Sequence, residues 1–290
     1  MTIPAGRFMM GSPIDDEEAR PDERPQIEVE IAHPFELGQT EVTRGQFRKF
    51  VEASGYRTLA EREKGGFAFS SKTQRLEPEI NSSWRTTGFE QNDEHPVVNV
   101  AVEDADAFCE WLSKEEGRTY RLPTEPEWEY ACRAGTTTKW STGNDLDSLK
   151  RSCNLCDVNL VRDYPFATWS VDWNDGYAFT APVASYRPNP FGLFDVHGNV
   201  FEWCADEWPL KGYDGRELLD PDEPLTPGSR IVRGGSFLSL TIFTRSADRV
   251  GLWPELRNCI VGFRVLREIT ETQAEANSEL NNAVPPESLP

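Results

Sequence analysis

The chain has 290 residues, 38% of them apolar, which is enough for a sizeable core in one large domain or two small ones. Its 49 Asp and Glu outweigh 30 Lys and Arg, and the resulting formal charge of -19 argues against an electrostatic grip on nucleic acid or anionic lipid and suits cation binding better. No window approaches about eighteen uninterrupted apolar residues, and Met1 to Arg7 is too polar for a signal peptide, so no membrane association is expected and the cytoplasm is the default compartment.

In chain order, Ile3 to Ser12 reads as a first strand and turn, followed by an acidic loop from Asp15 to Glu30 expected to be solvated. Thr43 with Gln46 forms a capping box, Phe47, Phe50 and Val51 share one helical face, and Gly55 stops the helix. Residues 57–94 read as a long irregular segment anchored by Trp84 and Phe89. His95 to Val100 is expected to be a short strand. Glu103 to Glu116 is expected to be a helix that buries Phe108, Trp111 and Leu112 and ends at Gly117. A second capping box, Thr124 with Glu127, opens another helix that ends at Gly135, with Trp128, Tyr130 and Cys132 read as core. After Thr136 turns dominate, and the residues from Glu268 to Pro290 read as an acidic disordered tail.

Six cysteines are too few for a disulfide scaffold in a chain of this length, so reduced thiols are expected. Cys153-Asn154-Leu155-Cys156 is a lone CxxC, without the second pair or spaced histidines that a zinc site needs.

Two oxygen-rich turns are candidates for a hard cation such as calcium. Asp195, Asn199 and Glu202 surround Gly198, while Asp172, Asn174 and Asp175 precede Gly176 with Asn154 upstream. Downstream, Gly234 and Gly235 between Arg230-Ile231-Val232-Arg233 and Phe237 suggest a strand passing close to another backbone or to a ligand.

Taken in order, several blocks resemble the sulfatase-modifying-factor family, whose best-known member is the formylglycine-generating enzyme. They are Ile3-Pro4-Ala5-Gly6, Met10-Gly11-Ser12, Glu41-Val42-Thr43, His95-Pro96-Val97-Val98, Arg121 to Glu129, Gly192 to Trp203, Arg233-Gly234-Gly235-Ser236 and Gly262-Phe263-Arg264. The resemblance covers residues 1–267 and implies a single α+β domain of the C-type-lectin-like sort, with a few helices, short twisted strands and much irregular chain. It also implies two structural calcium ions. One would be held by the Asp195 and Glu202 side chains with the Gly198 and Val200 carbonyls. The other would be held by the Asn154 and Asp175 side chains with the Leu155 and Tyr177 carbonyls.

The same resemblance implies a copper(I) site built from two cysteines, and here the chain departs from the family. The first position matches Ser239, the second falls between Thr241 and Thr244, and no cysteine occurs between Cys204 and Cys259. Hydroxyl oxygen does not suit copper(I), so copper is not expected. The cross-bridging partners of Cys109 and Cys132 are likewise absent, Ser246 and Val265 standing in their places. The cleft candidates left by this departure are Ser236, Ser239, Thr244 and Arg249.

The expected function is a non-catalytic ligand- or protein-binding module that uses residues 237–260, where Leu238, Leu240, Ile242, Phe243, Val250, Leu252, Trp253 and Ile260 would make a patch for a peptide or protein if exposed. The alternative for those residues is a strand with every second one in the core. The alternative function is a metal- and oxygen-dependent oxidoreductase of the same family acting on a peptide or small molecule. Iron-dependent sulfoxide synthases in the wider family take their histidines from an additional helical domain, and no HxxxH is present here. His197 is expected in a surface or turn role.

Overall fold

The computed structural model describes residues 1–164, 167, 169–209, 213 and 228–269. Apart from Glu268 and Ile269, the expected acidic tail therefore lies outside the described residues. Strands β1 (Thr2–Ile3), β2 (Gly6–Met10), β3 (Ile27–Ile31) and β4 (Phe35–Leu37) open the chain. Helix α1 (Arg44–Ser54) follows, then the short α2 (Leu59–Arg62), β5 (Gly66–Ser70), β6 (Arg75–Glu79), α3 (Val102–Glu116), β7 (Tyr120–Arg121), α4 (Glu125–Arg133) and α5 (Val158–Asp163). The chain closes with β8 (Phe201–Glu207), β9 (Arg230–Arg233), β10 (Val250–Leu252), β11 (Val261–Gly262) and β12 (Leu266–Glu268).

Two four-stranded sheets carry the domain, in the orders β1-β4-β12-β7 and β10-β9-β8-β11, with β2-β3 and β5-β6 as separate hairpins. Among the described residues these strands pair antiparallel except β11 with β8. The result is an α+β fold of short strands, few helices and much irregular chain.

The capping arithmetic explains α1 and α4. Thr43 accepts from the Gln46 amide and Gln46 returns the bond, and Gly55 in the left-handed region ends α1. Thr124 and Glu127 do the same for α4, although the left-handed cap there is Ala134, one residue before the expected Gly135. Helices α1 and α3 then bury one aromatic cluster in which Phe47, Phe50, Trp84, Phe108 and Phe263 meet. A second cluster packs Trp128, Tyr130 and Cys132 of α4 against Ile3, Leu37, Leu193 and Leu266.

Three expectations are overturned. Residues 57–94 are not irregular throughout, since they contain α2 and the β5-β6 hairpin. The turn of that hairpin carries its positive φ on Gln74, so no glycine announces it. His95 to Val100 is not a strand, because Asn99 turns left-handed, and its backbone is satisfied piecemeal by Val42, Arg44 and Asn258. The loop from Asp15 to Glu30 is not merely solvated. It ends in β3, and Glu23 is buried, accepting from the Ser12 hydroxyl at 2.6 Å beside the Arg245 guanidinium.

Among the described residues no helix is long and apolar enough to cross a membrane. All six cysteines are unpaired and buried.

Candidate functional site

The turn leading into β8 is built by backbone angles that few residues tolerate. Asp195 and Asn199 both take positive φ, and Gly198 lies at φ +100° where a Cβ would stand 2.2 Å from the Asn154 carbonyl oxygen. That close approach fastens the first oxygen-rich turn to the second, with the Asn199 amide donating to the same Asn154 oxygen at 2.9 Å.

Glu202, at the start of β8, lies in a buried fork. Arg264 donates from Nε and Nη2 to its two carboxylate oxygens, each at 2.6 Å, and the Trp128 indole donates to Oε2 at 2.7 Å. The remaining Arg264 donors reach the Gly38 and Phe194 carbonyls. Asp195 accepts from the Ala184 amide on Oδ2 at 2.7 Å, while its buried Oδ1 has no partner. Glu41, just before α1, is fully enclosed. Its Oε1 accepts from the Asn199 side chain at 3.0 Å and its Oε2 is also without a partner. Burial, followed by the neighbouring Asp195 and Glu202 charges, holds the Glu41 carboxyl well above the usual range. Burial likewise pushes Asp195 up to about 6. Sequence reasoning used Glu41 only as part of a family block. An acid wedged beside core Val42 and helix-capping Thr43 was the available signal.

In the second turn, Asn154 is buried with its Oδ1 unpartnered, its amide nitrogen donating to the Phe179 carbonyl and to Asn199 Oδ1. Asp175 accepts from the Leu155 and Tyr177 amides, and burial raises its carboxyl to about 7. Asp172 and Asn174 do not join them. Asp172 is exposed, and Asn174 closes an ordinary turn onto the Gly176 amide. Asp157 is the neighbour instead, accepting from the Asp175 amide at 3.1 Å. Among the described residues no three His, Cys, Asp or Glu side chains are placed to hold a metal ion, so an ion at either turn would also need amide and carbonyl oxygens. The unpartnered Asn154 Oδ1 and the desolvated Asp175 carboxyl suit such an ion. At the first turn Asp195 Oδ1 suits it, whereas both oxygens of Glu202 are already engaged.

The Gly234-Gly235 pair does bring backbones together, since a Cβ on Gly235 would lie 2.9 Å from the Phe243 carbonyl oxygen. The four cleft candidates, however, fall into three separate networks. Ser236 and Ser239 lie together, hydroxyl to hydroxyl at 3.2 Å, with the Ser236 amide donating to Ser239 Oγ at 2.9 Å. Thr244 donates to the Thr241 carbonyl and accepts from the Trp140 indole at 3.1 Å. Arg249 pairs with Glu125 at 2.5 Å and stacks over Trp208 and Tyr213. All four are buried. A cavity of about 510 Å³ elsewhere, lined by Arg44, Arg85, Phe89 and His95 among others, includes none of them.

His197 is not at the surface. The Ser141 amide donates to its Nε2 at 3.0 Å, so the proton sits on Nδ1, which donates to the Thr244 carbonyl at 2.8 Å. Burial keeps the ring neutral, lowering its pKa to about 4. Cys132 lies nearby, with its Sγ 3.8 Å from Ser246 Oγ, which places Ser246 where a cross-bridging partner would stand. The apolar residues of 237–260 neither alternate in one strand nor form one exposed face. A 3-10 turn, Thr241–Thr244, interrupts them, Phe237 is buried, and only Leu240 (39%) and Trp253 (64%) are well exposed.

The family model for the sulfatase-modifying factor enzyme 1-like domain matches residues 1–269. The chain belongs to this family. It is 32% identical to the formylglycine-generating enzyme of Streptomyces coelicolor, over 94% of this chain and 90% of that one. It is 31% identical to the inactive C-alpha-formylglycine-generating enzyme 2 of Bos taurus, over 90% of this chain and 85% of the relative. The structure of PvdO from Pseudomonas aeruginosa superposes with a TM-score of 0.73 at 30% identity, covering 93% of this chain and 94% of that one. The α+β architecture is therefore that of the formylglycine-generating-enzyme type, as the motifs implied.

Proposed function

We propose that this member of the family does not form formylglycine by the copper route and serves as a binding module for a peptide or protein, with the exposed Leu240 and Trp253 side chains of residues 237–260 at its contact face. The observation that carries the reading is the Ser239 hydroxyl, engaged with Ser236 at the place where a copper-binding sulfur would stand. Copper(I) prefers thiolate, and all six thiols lie outside the segment between Cys204 and Cys259. Thr244 likewise offers only a hydroxyl, already spent on Thr241 and Trp140. The exposed Leu240 and Trp253 side chains supply apolar anchors for a partner. Unpaired cysteines, with Ser246 facing Cys132, agree with a reducing compartment such as the cytoplasm.

Calcium in this reading is structural. Asp195 and the carbonyls of Gly198 and Val200 would serve one ion, with Asn154, Asp175 and the carbonyls of Leu155 and Tyr177 serving the other. Such ions neutralise buried carboxylates and hold two loops that little regular structure supports.

Oxygen consumption with a thiol peptide, measured with added copper(I) and separately with iron(II), tests the proposal. The expected result is no turnover above a metal-free control. Turnover with either metal would establish the oxidoreductase reading and overturn the binding module.

A further inference from the structure

We propose that the cavity between residues 11–16 and the chain around Arg245 takes a small zwitterion, an α-amino acid being the simplest, with its carboxylate on Arg245 and its ammonium on Asp15. The proposal goes beyond the peptide- and calcium-binding readings and depends on neither. The cavity measures about 380 Å³ and is lined by Ser12, Asp15, Asp16, Arg133, Lys139 and Arg245 among others, a volume within the range of small-molecule pockets. It includes none of the oxygen ligands of the two turns and none of Ser236, Ser239, Thr244 and Arg249.

Arg245 is the reason to expect an occupant. Its side chain is 2% exposed, yet only Nη2 is satisfied, by Asp16 and by the Ser12 hydroxyl at 3.2 Å. Nε and Nη1 are buried with no hydrogen-bond partner among the described residues. Buried guanidinium donors without acceptors are costly, and carboxylate oxygens are the acceptors that suit them best. Arg133, a second buried guanidinium on the same wall, shows the contrast. Its three nitrogens donate to Glu129 and to the carbonyls of Thr138 and Gly11.

Charge decides between a simple anion and a zwitterion. Glu129 pairs Arg133, Glu18 pairs Lys139 at 2.6 Å, and Asp16, with Glu23 at 3.5 Å, balances Arg245. No surplus positive charge remains to neutralise a phosphate or a lone carboxylate. Asp15, exposed at the cavity, adds a carboxylate suited to an ammonium. A ligand that carries both charges leaves the balance unchanged and gives Arg245 its acceptors.

Isothermal titration calorimetry of the full chain with L-alanine, acetate and inorganic phosphate tests the assignment. L-Alanine should bind about tenfold or more tighter than either anion, because its ammonium adds a charge-assisted contact. Arg245→Lys, which keeps the charge and loses the open donors, should weaken L-alanine by about tenfold or more. Asp15→Asn, at an exposed position, should fold as wild type does and bring L-alanine down to the affinity of acetate. A wild type that binds no L-alanine, with water alone completing Arg245, would overturn the proposal. So would acetate or phosphate matching L-alanine, or wild-type affinity in either variant. If Arg245→Lys does not fold, the Asp15→Asn comparison decides by itself.

Discussion

The pocket around Arg264 and the segment from Ser236 to Thr244 are neighbours, joined where the Phe237 amide donates to the Asn199 carbonyl and the Gly198 amide to the Gly234 carbonyl. They treat buried polar atoms in opposite ways. In the segment the hydroxyls of Ser236, Ser239 and Thr244 all find partners within the protein. In the pocket, Asp195 Oδ1 and Glu41 Oε2 are enclosed and left open. A buried polar atom without a partner costs about 1 to 3 kcal/mol, so each one calls for an explanation, such as strain, an ordered water or an ion. The segment from Ser236 to Thr244 is thus satisfied from within, while the loop pocket holds two acceptor oxygens that no protein donor reaches.

The strongest way to break the contrast is to remove the one charge that holds the pocket. Arg264→Met should leave the Glu202 carboxylate buried and unpaired, costing about 3 to 5 kcal/mol in denaturant unfolding. A loss under 1 kcal/mol would show that the pocket does not depend on that fork. His197 bridges the two regions and gives the next effect. Its folded pKa, about 4, lies below the ordinary histidine value of 6.5, so the unfolded chain takes up the proton first and stability is lost as pH falls from 6.5 toward 4. The loss amounts to about 3 kcal/mol. Asp175 and Asp195 are raised instead, so in metal-free protein their contribution is largest at low pH and is lost as pH rises through about 6 to 7. The histidine effect is therefore read as the difference between wild type and His197→Gln, which should remove the acid-side slope. The smallest effect is expected in the closed segment. Thr244→Val keeps the shape and strips the hydroxyl, orphaning the Trp140 indole at a cost of about 1 to 2 kcal/mol in the same unfolding assay.

Local rules were enough where the decisive contacts are local. Thr43 with Gln46 and Thr124 with Glu127 mark helix starts from four residues each, and Gly198 marked a turn that does take a positive φ. What could not be read depends on partners far along the chain. His197 is buried by Ser141 and Thr244, 56 and 47 residues away, and no periodicity encodes that. Nothing near Glu202 in sequence shows Arg264 reaching it across 62 residues. The Asn199 side chain that holds Glu41 likewise lies 158 residues on. The hairpin of β5 and β6 escaped on different grounds, as its left-handed turn residue is a glutamine.

The order β1-β4-β12-β7 has a consequence for synthesis. Strand β4 is edged on one side by β1 and on the other by β12, whose pairing of Leu266 with Leu37 joins residues roughly 230 apart. At translation rates of about 5 to 20 residues per second, Phe35 and Leu37 wait on the order of ten to fifty seconds for that partner to leave the ribosome. For that interval the nascent chain carries an open strand edge beside apolar side chains, the surface that chaperones hold and that aggregation exploits. Yield in a heterologous host should therefore respond more to growth temperature and chaperone supply than to the stability of the finished domain.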